Sequence, residues 1–232
     1  MKEKIVGIIG GMGPDATVDL FQKILRATPA KKDQEHLRII IDCNSKIPDR
    51  TAHIMRGEEN PGPYLVSSAK LLEQAGVDVM VMPCNAAHTW HDEIQANVGV
   101  PVLHIMRAAA EHAAERWPNM KKIGLLAAPS TVKIGIYHRT FAEKGIEVIA
   151  PDPKHQDMTT EAIFAVKAGR TGPDIQKLAA DAGEYLAAQG AEAVIAGCTE
   201  IPLILKDGGI SVPAVDATQA LAIAAVRFAR GM

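Results

Sequence analysis

Apolar residues along this chain fall into short continuous blocks, separated by longer stretches in which they return every three or four positions. The block Ile5-Val6-Gly7-Ile8-Ile9 fills both faces of an extended segment, mostly with β-branched side chains, and runs directly into glycines. That pattern predicts a strand buried on both sides in a parallel sheet. Residues 15–27 carry the spacing of an amphipathic helix. Further strands are predicted at residues 37–42, 77–82, 100–104, 122–127, 146–150, 193–196 and 212–215, with helical patterns between most of them. Strands alternating with helices predict an α/β fold built on parallel sheets.

The same pattern occurs twice. Ile5-Val6-Gly7-Ile8-Ile9-Gly10 returns as Lys122-Ile123-Gly124-Leu125-Leu126-Ala127, at an offset of 117 residues. Val81-Met82-Pro83-Cys84-Asn85 returns as Ile195-Ala196-Gly197-Cys198-Thr199 at an offset of 114, and Gly99-Val100-Pro101-Val102 as Ser211-Val212-Pro213-Ala214 at 112. A near-constant offset implies a duplicated α/β unit. The expected organisation is an N-terminal domain over residues 1–105, a second domain over 106–216, and a final helix, 217–232, returning to the first domain. Two such domains related by a pseudo-two-fold would meet across a cleft, and ligands in open α/β sheets bind beyond the carboxyl ends of the strands. The active site is therefore expected between the domains.

Composition narrows the function. A formal net charge of −2 with mixed signs, and aromatic residues at only 4%, leave no basic or aromatic platform for nucleic acid. No apolar run approaches the ~20 residues of a membrane helix. Lys2 and Lys4 precede an apolar stretch as in a signal peptide, but that stretch is glycine-rich and meets Pro14-Asp15 without a small-residue cleavage pattern. Three widely spaced cysteines, Cys43, Cys84 and Cys198, form neither a disulfide framework nor a paired metal knuckle. A cytoplasmic protein is expected.

Cys43 reads as a core residue, since cysteine is commonly buried. Cys84 and Cys198 read differently, because they occupy the same position of both repeats and have polar neighbours, Asn85, Thr199 and Glu200, where packing would favour apolar ones. Each follows a strand and precedes a predicted helix, over 85–95 and 199–205, whose positive dipole end would favour a thiolate. A matched pair of thiols facing each other suits a reaction that removes a proton from one face of a carbon and delivers one to the other. A nucleophile and its base, with unlike roles on one side of a substrate, gain nothing from such symmetry.

Gly10-Gly11-Met12-Gly13-Pro14-x-Ala16-Thr17, Ile47-Pro48-Asp49-Arg50-Thr51, Pro83-Cys84-Asn85-x-x-His88 and Gly197-Cys198-Thr199-Glu200, taken in order, resemble the aspartate racemase branch of the aspartate/glutamate racemase superfamily. The resemblance spans nearly the whole chain. It implies two Rossmann-like domains and racemisation of an acidic amino acid, aspartate first, by Cys84 and Cys198 as catalytic acid/bases. It also implies no pyridoxal phosphate or other cofactor, no metal, and a homodimer. By the same resemblance Arg50 and Lys167 grip the substrate carboxylates, while Met12, Gly13, Asn85, Thr131 and Thr199 line the pocket. Relatives carry Thr where this chain has Ala86, and Pro where it has Ser45. The missing hydroxyl removes a carboxylate hydrogen bond worth ~1.5–3 kcal/mol, which bears on substrate choice.

Other readings weigh less. His88, four residues after Cys84, is one helical turn away and could assist the thiol or stand behind it, as Glu200 could behind Cys198. His88 and His91 have zinc-like spacing but no third ligand nearby in sequence. Gly11-x-Gly13-x-x-Ala16 meets the dinucleotide fingerprint in form, yet Pro14 intrudes, and Asp42 lies 29 residues beyond Gly13 where such an acid is expected at ~20. The glycines fit a small anion at a helix start better. The loop 58–63, following Arg50, is a candidate lid. The rivals are a maleate isomerase or arylmalonate decarboxylase-like cysteine enzyme, and a non-catalytic dicarboxylate-binding protein.

Overall fold

The computed structural model describes residues 4–205 and 208–232; Lys2 lies outside the described residues. The chain divides into two compact units, Met1–Ala108 with Thr218–Met232, and Ala109–Ala217.

Among the described residues, the first unit holds a three-stranded parallel sheet in the order β2-β1-β3, with β1 at Val6–Gly10, β2 at Ile39–Cys43 and β3 at Val79–Val81. Every residue of the central β1 is buried, which is why its apolar residues do not alternate with polar ones. Helix α1 (Pro14–Ala27) starts at once, with Pro14 in the first turn, where its missing N–H removes no bond, and Leu20 and Ile24 turned fully inward. Helices α2 (Arg50–Arg56), α3 (Gly62–Gln74) and α4 (His91–Asn97) follow. Ile9, Leu65, Leu72, Met80, Met82, Trp90 and Ile94 pack together as this unit's core.

Three expectations for this unit are corrected. Residues 100–104 form a single bridge, Met80 to Val102, instead of a strand. Pro101 has no N–H to offer a ladder, and the polar groups of Val102 are taken by α4: its N–H donates to Gln95 Oε1 at 2.8 Å and its carbonyl meets His91 Nε2 at 2.8 Å. The helix predicted over 85–95 begins as a 3₁₀ segment, Ala86–Trp90, before α4. The carbonyl that an α-helical His88 N–H would bond, that of Cys84, is occupied by the His88 ring, and the N–H bonds Asn85 instead. Cys43 is exposed, not buried, because it ends an edge strand that is covered incompletely.

Helix α5 (Ile105–Arg116) leads into the second unit, whose parallel sheet runs β5-β4-β6-β7, with β4 at Lys122–Leu126, β5 at Glu147–Ile149, β6 at Ala193–Ala196 and β7 at Ala214–Asp216. It carries α6 (Pro129–Ile134), α7 (Ile136–Ala142), α8 (Pro153–Lys167), α9 (Pro173–Ala188) and α10 (Ile201–Ile204). Asp152 caps α8 by accepting the His155 N–H at 2.9 Å. Leu126, Ile163, Val166, Leu186, Val194 and Ile204 form this unit's core. Helix α11 (Ala217–Arg230) ends the chain's regular structure. No helix among the described residues is long and apolar enough to cross a membrane.

Candidate active site

In the first unit the predicted site residues converge. Cys84 stands beyond the carboxyl end of β3, 7% exposed, in one apolar cluster with Met12 and Ile47. Gly11 makes the turn out of β1 with a φ of +91°, and its N–H donates to Thr17 Oγ1 at 2.9 Å, fixing the turn against α1. The following Met12–Gly13 peptide is cis. Arg50 opens α2, capped by Asp49, whose carboxylate accepts the Ala52 N–H at 2.7 Å. Its guanidinium donates to the carbonyls of Pro48 at 2.9 Å, Ile47 at 3.2 Å and Met12 at 3.4 Å. Arg50 is therefore anchored to the same turn that presents Met12 and Gly13. Asn85 is buried beside Cys84.

His88 does not face the Cys84 thiol. Its Nδ1–H donates to the Cys84 carbonyl at 2.9 Å and its Nε2 accepts the Ile105 N–H at 3.1 Å, so the ring is a neutral strut between the cysteine loop and α5. His104 supplies a third histidine, with ring centres 4.8 Å from both His88 and His91. His88 has spent both nitrogens on backbone partners and has none left for a metal. Among the described residues no group of three or more His, Cys, Asp or Glu could hold a metal ion.

Burial, then the neighbouring His104, pushes His88 down to about 3. Burial, then His91 and Arg107, pushes His104 down to about 4, with Asp92 opposing. Both rings fold neutral, whereas the unfolded chain protonates them near the ordinary 6.5. The unfolded state thus binds more protons as pH falls from about 6.5 towards 4, and stability is lost across that window. With two histidines taking part, the expected slope there is on the order of 2 kcal/mol per pH unit. Denaturant unfolding between pH 8 and pH 4 measures it, and His104→Asn should flatten the curve; an unchanged slope would remove this cluster as its cause.

In the second unit, Cys198 follows β6, partly exposed, and Gly197 before it is closely packed, since a Cβ there would lie 2.4 Å from Leu125 Cδ1, which would have to move. The Cys198 thiol donates to Glu200 Oε2 at 2.9 Å, and Thr199 Oγ1 donates to the same oxygen at 3.4 Å. Glu200 is 5% exposed. Thr131 is buried in α6, with its N–H on the Ala128 carbonyl at 2.9 Å. Lys167 is the last residue of α8, exposed, with Nζ 5.5 Å from the Phe164 ring centre. The contacts thus gather Thr199 and Glu200 around Cys198 and tie Lys167 to Phe164. A helix dipole at each thiol is not what the fold supplies, because Cys84 is followed by a 3₁₀ segment and α10 has only four residues.

Two residues of the second unit escaped the sequence reading, Tyr137, which interacts with Cys198, and Asp216, which interacts with Tyr137. Tyr137 on α7 is fully buried, and its hydroxyl is pushed well above its ordinary value by that burial, then by Cys198 and Asp216. Asp216 ends β7, and it lies 112 residues after His104. That is the offset already seen between Pro101 and Pro213, so extending the repeat by three residues would have paired His104 with Asp216.

A parallel α/β unit made twice, with a reactive residue type after the same strand of each copy, leaves the chain's class to be fixed by likeness. The chain belongs to the Asp/Glu/hydantoin racemase family, whose model matches residues 9–225, and it is an isomerase of the racemase type. It is 29% identical over 226 residues to the broad specificity amino-acid racemase RacX of Bacillus subtilis (strain 168), covering 94% of this chain and 95% of that one. Among solved structures it is similar to the aspartate racemase of Picrophilus torridus, with a TM-score of 0.83 and 32% identity over 98% of this chain and 94% of that one. An aspartate racemase homologue from Pyrococcus horikoshii OT3 superposes with a TM-score of 0.79 at 28% identity, covering 98% of this chain and 99% of that one.

Proposed function

We propose that this protein racemises an acidic amino acid, aspartate first, without a cofactor, using Cys84 and Cys198 as acid and base on opposite faces of the α-carbon. The observation that carries the reading is the pair itself: one cysteine after β3 and one after β6, in the same register of a duplicated unit. One thiolate takes the α-proton and becomes a thiol, leaving a carbanionic intermediate. The other thiol gives its proton to the opposite face and becomes the thiolate. Nothing is oxidised or reduced, so no electron carrier is required.

The α-carbon is a far weaker acid than a thiol, so the developing negative charge must be met by fixed positive groups and oriented N–H donors. Arg50, anchored on three carbonyls beside Met12, is suited to bidentate carboxylate binding. Lys167 is proposed for the second carboxylate. Ala86, lacking a hydroxyl next to Asn85, bears on the choice between aspartate and wider acceptance, and the relative in Bacillus subtilis is a broad specificity racemase.

Proton NMR of each enantiomer of aspartate and glutamate, with the protein in D₂O and no added cofactor, tests the reading. The α-proton signal should vanish while the opposite enantiomer accumulates. Absence of exchange with every acidic amino acid would sink it.

A further inference from the structure

The two thiols share a register, but their surroundings differ. Cys198 donates to a carboxylate that is 5% exposed, at a sulfur–oxygen distance of 2.9 Å, and the same oxygen takes the Thr199 hydroxyl. Where Glu200 is ionised it can only accept, and the hydrogen between these atoms is then the one on sulfur. Tyr137 from α7, which holds its proton, also interacts with this thiol. A negative charge placed on Cys198 would stand beside that of the Glu200 carboxylate.

Cys84 has no such neighbour at the matching position. Glu200 lies 114 residues after Ala86, the same offset that separates the cysteines. The His88 ring gives its hydrogen to the Cys84 carbonyl and is neutral, as is His104 behind it. The Arg50 guanidinium is anchored on the carbonyl of Met12, which shares an apolar cluster with Cys84.

We propose that the pair is loaded asymmetrically at rest, with Glu200 as a positioning residue that keeps Cys198 a thiol and leaves Cys84 as the thiolate. The proposal rests on the racemase reading for what the pair does next, but not for the protonation itself. The enantiomer that turns its α-hydrogen to Cys84 meets an enzyme ready to react. For its mirror image, the sulfur hydrogen of Cys198 must first pass to the Glu200 carboxylate or to solvent, and Cys84 must gain a proton from solvent. Because two enantiomers have equal free energy, kcat/KM for the two directions stays equal whatever Glu200 does, so activity alone does not report this asymmetry.

The thiols themselves report it. The full-length protein, free of substrate, is treated with iodoacetamide from pH 6 to pH 10, and peptide mass spectrometry gives a separate rate for each cysteine. The exposed Cys43 serves as the internal reference for reagent reactivity. The midpoint of the Cys198 profile should lie at least about one pH unit above that of Cys84. In Glu200→Gln the Cys198 midpoint should fall by about one unit, a roughly tenfold faster reaction below it, while Cys43 and Cys84 keep their profiles. Coincident wild-type midpoints, or a Cys198 profile unmoved by Glu200→Gln, would overturn the proposal. Should that variant fold poorly, the wild-type order of midpoints decides alone. Failure of α-proton exchange in D₂O would remove the racemase reading while leaving these profiles intact, so the two failures are distinguishable.

Discussion

Replacing either Cys84 or Cys198 by serine should lower kcat/KM for racemisation by ~10²–10⁴-fold, the range that a positioned acid or base contributes. Serine nearly preserves shape but replaces a thiol, which ionises close to neutral pH, with a hydroxyl that does not. Each site tolerates the change structurally. Cys84 bonds its neighbours through backbone atoms, the N–H to the Met82 carbonyl and its own carbonyl to His88, and Cys198 donates to a carboxylate that a hydroxyl also satisfies. Melting curves should therefore stay close to wild type. Initial rates from both enantiomers, followed by chiral chromatography, should fall equally, because the equilibrium constant between enantiomers is one. Each variant should still exchange the α-hydrogen of the one enantiomer that faces its remaining thiol. Cys43→Ser, at an exposed edge-strand end, should change nothing. Retention of more than a tenth of wild-type activity in either site variant would contradict the two-thiol mechanism.

Gly11→Ala should destabilise the protein by ~2–5 kcal/mol. Its φ of +91° lies where an L side chain costs ~1–2 kcal/mol. An added Cβ would also stand 2.3 Å from the Asn44 carbonyl carbon and 2.4 Å from its oxygen. Those are backbone atoms just beyond β2, unable to rotate away, so overpacking adds ~1–3 kcal/mol. Relief by moving the β1–α1 turn would shift the Met12 carbonyl from Arg50 and break the bond from the Gly11 N–H to Thr17. Activity should then fall along with stability. Gly57→Ala is the control: its φ is +70° but nothing lies within 4 Å of the new Cβ, so only the conformational cost of ~1–2 kcal/mol remains. Urea unfolding of both variants against wild type measures the difference, and equal losses would show that the Asn44 clash is relieved without cost.

Periodicity and repetition carried much of this protein. Apolar blocks over residues 5–9, 122–127 and 193–196 announce strands covered on both faces, because a central parallel strand has no polar side to show. Alternation with helical spacing gives the α/β class, and the repeat singles out Cys84 and Cys198 from Cys43 before any contact is known. What stayed hidden were choices that depend on a partner from elsewhere in the chain. Val100-Pro101-Val102 looks like a strand until Gln95 and His91 of α4 take its polar groups. Cys43 looks like a core residue until β2 proves to be an edge. His88 sits at thiol-facing spacing, yet its ring bonds a carbonyl and an amide of α5, 17 residues on. Glu200 differs from Ala86 by composition alone until the turn after β6 brings its carboxylate to sulfur. A local pattern encodes which side of an element is dry, through an energy that scales with apolar area. Hydrogen bonds are directional and saturable, so which buried donor meets which acceptor is decided only when the elements have packed.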